Sequence, residues 1–234
     1  MNRIIVKSTD ELGKAAADIF EAEIRKKPDL VLGLATGSTP LPLYKELIDR
    51  YKAGVLDFSK VRTVNLDEYV GLPPEHDQSY RYFMDENLFN HINIDKANTN
   101  VPNGISDDPA AECERYEALI ESMGGIDLQL LGVGLNGHLG FNEPDDVFVS
   151  KTQVIKLTNS TINANARFFA SADEVPKYAI TMGIKQIMLA RKIVLVAGAE
   201  KQEIVNKALH GNVTPQIPVS ILQLHRDAAI INVV

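Results

Sequence analysis

His138 stands in a run where glycine recurs at positions 132, 134, 137 and 140, and a carboxylate, Glu143, follows closely. Glycine at that density lets a backbone turn sharply and approach a ligand. A histidine near a glutamate is a usual means of moving protons at neutral pH. The same run also fits a glycine-rich strand exit with an ordinary surface histidine, so its weight depends on its company. Asp67 follows the expected strand 61–66. There it reads as a carboxylate general base or, taken alone, as a turn residue. Its neighbour Glu68 reads as supporting or solvated.

Thr36-Gly37-Ser38-Thr39-Pro40 combines a glycine for close approach, hydroxyls, and a proline suited to a first helical turn. Amides at that helix start would bind an anion, most simply a phosphate. A plain Ser/Thr N-cap is the competing reading. The segment lacks the Gly-Lys-Ser/Thr ending of a Walker loop. Gly132-x-Gly134-x-x-Gly137 overlaps the histidine and signals no following helix, so a dinucleotide fingerprint is discounted. Lys201 opens a helix after Gly198-Ala199-Glu200. A cation there opposes the helix dipole and suits an anionic partner, with a solvated lysine as the alternative. Arg167 lies in an Asn-rich, aromatic setting, where a surface ion pair is its plainer reading. The five histidines show no metal-ligand spacing, and Cys113 has no partner cysteine. Its spacing with Tyr116 and Ile120 marks it as a helix-packing residue.

The elements that must hold these residues alternate. Strands are expected at 3–7, 29–35, 61–66, 127–133, 152–157, 192–197 and 228–234. Helices are expected after the capping box Ser8-Thr9-Asp10-Glu11, over 41–51, 80–88 and 108–123, and before Gly211 as a C-cap. A nearly all-apolar, buried helix is expected over 175–189, and a short turn of helix over 220–224. Alternation of this kind predicts an α/β fold: one domain over 1–234 with a mainly parallel, doubly wound sheet in a three-layer, Rossmann-like αβα arrangement. Ligands of such sheets sit beyond the carboxyl ends of the strands. Four expected strands end in the unusual stretches above, so the four exits together predict a site.

With 234 residues, 45% apolar and 24% charged, the chain has the balance of a folded globular domain. No apolar run approaches the ~18 residues of a membrane span. A net charge of −7 without a basic cluster disfavours nucleic acid but leaves room for a small anion. One cysteine and no leader-like N-terminus predict a cytoplasmic protein.

Taken together, Ala35-Thr36-Gly37-Ser38-Thr39-Pro40, Asn65-Leu66-Asp67-Glu68-Tyr69, the run 132–144 ending Phe141-Asn142-Glu143-Pro144, Ala166-Arg167-Phe168-Phe169 and Gly198-Ala199-Glu200-Lys201 resemble the glucosamine-6-phosphate deaminases. The resemblance spans nearly the whole chain. It implies conversion of glucosamine 6-phosphate and water to fructose 6-phosphate and ammonia, in amino-sugar catabolism. It also implies that His138 opens the sugar ring, with Glu143 and Asn136 orienting and tuning it. Asp67 would move a proton from C2 to C1, while Thr36, Gly37, Ser38, Thr39, Arg167 and Lys201 hold the phosphate. It implies no metal or organic cofactor.

Two departures stand out against longer members of that family. Asn136 takes the place of an aspartate, so His138 is expected to rely more on Glu143. The chain stops at Val234, and Gln153 and Ile155 stand where activator-binding cations would be. An unregulated monomer is therefore expected. The related 6-phosphogluconolactonases, and a non-catalytic sugar-phosphate sensor, are the rival readings.

Overall fold

The structure is a computed structural model that describes residues 1–158, 162, 166, 169, 171 and 174–234. Seven strands form one sheet: β1 (Asn2–Val6), β2 (Val31–Leu34), β3 (Arg62–Asn65), β5 (Thr99–Asn100), β6 (Leu128–Leu131), β9 (Lys192–Ala197) and β10 (Ala228–Val233). Their order is β1-β10-β9-β6-β2-β3-β5, and every neighbouring pair is parallel. Successive residues of a strand face opposite sides, and all four residues of β2 and of β6 are buried. Both faces of the central sheet are therefore covered, as unbroken apolar strands require.

Among the described residues six α-helices accompany it: α1 (Thr9–Lys26), α2 (Leu41–Lys52), α3 (Tyr80–Asn87), α4 (Pro109–Ser122), α5 (Ile184–Leu189) and α6 (Gln202–His210). Ser8 Oγ accepts the Glu11 amide and caps α1. The expected return bond from Glu11 reaches the amide of Lys7 rather than that of Ser8. Arg50 on α2 pairs with Asp18 and Glu21 of α1 and with Glu46, which pins the two helices together. Cys113 is buried on α4. Among the described residues no helix is long and apolar enough to cross a membrane.

The region 175–189 corrects the expectation of one buried helix. Residues Tyr178–Thr181 form strand β8, and only Ile184–Leu189 is helical, with Leu189 61% exposed. Strand β8 pairs antiparallel with β4 (Asp67–Tyr69) and with β7 (Gln153–Lys156), making a second sheet of order β4-β8-β7. Thus Asp67-Glu68-Tyr69 does not merely end a strand of the main sheet. Leu66 carries the chain out of it, and these three residues start the second one.

The chain builds outward from β2 through β3 to β5, then returns to β2's other side as β6. The strand order reverses between β2 and β6, which is where open α/β sheets hold ligands. Strands β9, β6, β2 and β3 are consecutive neighbours, and theirs are the four exits singled out in the sequence.

Candidate active site

At the exit of β2 the Tyr44 hydroxyl donates to the carbonyl of Ala35 and accepts its amide, fixing where the strand stops. Gly37 turns the chain at φ +99°. Helix α2 then starts behind Pro40, and no side chain caps it. The reading of Ser38 or Thr39 as a plain N-cap therefore fails, and the first-turn amides of α2 are not claimed by those hydroxyls. Gly37 and Ser38 are exposed, and Thr36 and Thr39 half-buried, so this turn presents amides and hydroxyls outward.

At the exit of β6 the glycines have separate tasks. A Cβ on Gly134 would overlap the His138 imidazole, so that glycine gives the ring its place. Gly137 has φ +90° and lies against Ile204, Ile217 and Val219, while its carbonyl accepts the Val219 amide at 2.8 Å. His138 Nδ1 lies 2.7 Å from Asn136 Oδ1, and Asn136 Nδ2 donates to Glu143 Oε2 at 2.6 Å. The same Glu143 oxygen is 3.4 Å from His138 Nδ1. An amide oxygen only accepts, so the neutral imidazole carries its proton on Nδ1. That leaves Nε2 with a lone pair to take a proton from a bound molecule.

Asp67 is 6% exposed, and no described residue donates a hydrogen bond to its carboxylate. Burial, and then the negative charge of Glu68, push its pKa up to about 8. A buried carboxylate kept proton-hungry in this way suits a general base. Glu68 is also buried, and accepts the amides of Tyr69, Tyr80 and Arg81 at 2.8 to 2.9 Å. It therefore anchors the start of α3 and is not solvated. Burial raises its pKa to about 7, against those three amides, which favour its ionised form. On the anchored helix Tyr80 stacks parallel to Phe141, with ring centroids 6.1 Å apart.

One glycine joins the two proton-transfer centres. Gly140, at φ +59°, turns the segment after His138 so tightly against Asp67 that a Cβ there would lie 3.1 Å from Asp67 Oδ2. His138, in the loop after β6, and Asp67, in the second sheet, thus border one backbone turn. Lys201 is half-buried at the exit of β9 and makes no ion pair with a described residue. Arg167 lies outside the described residues. A cavity of about 640 Å³ lined by Glu68, Arg81, Asp85 and Asn103 contains none of the expected site residues. The chemistry is gathered by the strand exits, not by that hollow.

Thr181 is the residue that sequence reading missed. It is wholly buried, opposite Asp67 in the second sheet, and its hydroxyl accepts the Phe141 amide. Its only sequence signal was a polar residue inside an apolar run.

A family model described as glucosamine-6-phosphate isomerases/6-phosphogluconolactonase matches residues 7–231. The chain is 58% identical over 232 residues to a glucosamine-6-phosphate deaminase of Lachnoclostridium phytofermentans, covering 99% of this chain and 98% of that one. It is 55% identical to one from Clostridium perfringens, with 99% and 96% covered. Among solved structures, a monomeric glucosamine-6-phosphate deaminase superimposes with a TM-score of 0.96 at 45% identity, covering 99% and 97% of the two chains. A 6-phosphogluconolactonase from Thermotoga maritima shares the fold alone, with a TM-score of 0.75 at 18% identity and 99% and 98% covered.

Proposed function

The chain belongs to the family of glucosamine-6-phosphate isomerases and 6-phosphogluconolactonases, and we propose that its four strand exits form one deaminase site over a single domain, 1–234. It converts glucosamine 6-phosphate and water to fructose 6-phosphate and ammonia. The carrying observation is the Gly140 turn, which sets a histidine–amide–glutamate relay beside a buried Asp67 whose carboxylate accepts no hydrogen bond from a described residue. Lactone hydrolysis needs one activated water. Two separate proton-transfer groups suit a reaction that opens a ring and then moves a proton between carbons.

His138 Nε2 takes the proton from the sugar's anomeric hydroxyl and returns one to the ring oxygen, which opens the pyranose. Asn136 and Glu143 hold the imidazole and stabilise its charge while it carries the extra proton. Asp67 removes the proton from C2 as a proton from solvent reaches O1, giving an enolamine, and delivers the C2 proton to C1 to leave a protonated C2 imine. Water then adds to the resulting C2 imine and ammonia leaves. Thr36, Gly37, Ser38, Thr39, Arg167 and Lys201 hold the phosphate. Fixing that remote group lets one base reach first C2 and then C1. The chemistry proposed here uses side chains alone.

The enzyme works as a monomer in the cytoplasm, without an activator. Among the described residues, the lining of a cavity of about 70 Å³ bounded by Glu143, Gln153 and Ile155 carries no Lys or Arg, so none of them offers a cation to an anionic effector there. Ammonia release from glucosamine 6-phosphate tests the reaction, and rapid lactone hydrolysis without ammonia would overturn it. Asp67→Asn is expected to lower kcat by roughly a thousandfold, within the range of a lost general base, with sugar-phosphate binding retained. Light scattering should give a mass near 25.8 kDa. Sigmoidal kinetics relieved by N-acetylglucosamine 6-phosphate would count against the monomer without an effector.

A further inference from the structure

We propose that Thr181 is the positioning residue that sets the His138 turn at its working distance from Asp67. The inference rests on the deaminase reading and adds to it a residue that touches neither substrate nor proton. Thr181 and Asp67 are direct partners across antiparallel β8 and β4, so their side chains lie on the same face of the second sheet. The Thr181 hydroxyl is fully buried, and Phe141 N donates to it at 3.1 Å. A Cβ on Gly140 would lie 3.0 Å from Thr181 Oγ1 and 3.1 Å from Asp67 Oδ2, so both oxygens close on one point of the turn.

Residue 182 completes the bracket through its backbone. Met182 O accepts the side-chain amide of Asn142 at 2.9 Å, and Met182 N donates to the carbonyl of Leu66 at 2.7 Å. The end of β8 is thereby tied on one side to the turn after His138 and on the other to the residue before Asp67. Within this bracket the Thr181 hydroxyl is the bond that a side-chain substitution on β8 can remove. Without it, the buried Phe141 amide loses its acceptor and Gly140 can drift from Asp67. Misplacing a reacting group by about 1 Å can cost on the order of a hundredfold in rate.

Thr181→Val keeps the β-branched shape and removes the acceptor. It is expected to lower kcat for ammonia release by roughly tenfold or more, about 1.4 kcal/mol, with KM unchanged because phosphate is held at other strand exits. Thr181→Ser retains the hydroxyl and is expected to stay near wild type. Thr152, another buried threonine whose Oγ1 has no partner among the described residues, serves as control. Thr152→Val should leave kcat unchanged.

A purely structural role predicts instead a lower melting temperature at unaltered kcat, and that result for Thr181→Val would overturn the proposal. A comparable kcat loss in Thr152→Val would do the same. If Thr181→Val does not fold at the assay temperature, Thr181→Ser decides. Normal kcat supports the hydroxyl, and a tenfold fall assigns the effect to the methyl group and overturns it. Wild-type protein that releases no ammonia would instead sink the deaminase reading on which this one stands.

Discussion

Asn136 makes hydrogen bonds of opposite sense: its oxygen accepts from His138 Nδ1 and from the His138 amide, and its nitrogen donates to Glu143 Oε2. An ionised aspartate could accept the first two bonds but not make the last, because it has no donor. The amide therefore passes the carboxylate's influence to the imidazole, while Glu143 also sits 3.4 Å from Nδ1. This gives a physical reason for the departure seen in the sequence, where Asn136 implied greater dependence on Glu143. Asn136→Ala should free the ring to rotate and to switch tautomer. We expect kcat with glucosamine 6-phosphate to fall roughly a hundredfold, the lower end of what acid–base catalysis contributes. A 5-deoxy analogue of the substrate cannot close the six-membered ring, and so bypasses the step assigned to His138. Its turnover should fall far less in Asn136→Ala, and an equal loss on both substrates would remove Asn136 from ring opening.

Strand exits and turns convert these residues into a site, and here the sequence was legible in part. The exits of β2, β6 and β9 were readable because glycines and polar residues interrupt apolar runs at abrupt points, and that of β3 because two adjacent carboxylates follow Leu66. Their adjacency was not, since sheet order depends on long-range pairing that no local pattern records. The region 175–189 misled because a short apolar stretch reads alike as buried strand or buried helix. Only four residues of it, Tyr178–Thr181, are strand. That error hid the second sheet and with it Thr181. Arg167 carried a phosphate role in the sequence, and its structural placement stays outside the described residues. The turn at 134–138 yields a sharper expectation. Gly134 has no positive φ, so it is glycine for space alone, with the imidazole lying where a Cβ would be. Gly134→Ala should push His138 away from Asn136 while leaving the fold intact. Activity is expected to drop at least tenfold, a displacement effect, with the melting temperature moved by only a few degrees. A variant with full activity would show that the ring has another productive seat.

At the scale of the molecule, the switch between β2 and β6 sets catalysis against stability. Asp67 and Glu68 are adjacent carboxylates, both buried, and burial raises the pKa of each, to about 8 and about 7. An unfolded chain ionises an aspartate near pH 4. The folded state therefore holds its proton on Asp67 more tightly than the unfolded state does. The stabilising part of that linkage is fully present below about pH 4, declines as pH rises, and is gone above about pH 8, where a naked carboxylate must stay buried. The deprotonated base that catalysis requires is thus the form the fold tolerates least. Asp67→Asn keeps the shape and removes the ionisation, so the inactive variant should be the more stable one in alkaline solution. Thermal melts of the two proteins should nearly coincide at pH 4 and separate progressively up to about pH 8, the variant melting higher by several degrees, with no further widening above it. The acid limb of kcat/KM should lie in the same upper range, rising as Asp67 loses its proton. A gap between the melts that is constant with pH would mean that Asp67 is ionised at no cost to folding. Its strength as a base would then have to come from the bound sugar rather than from its burial.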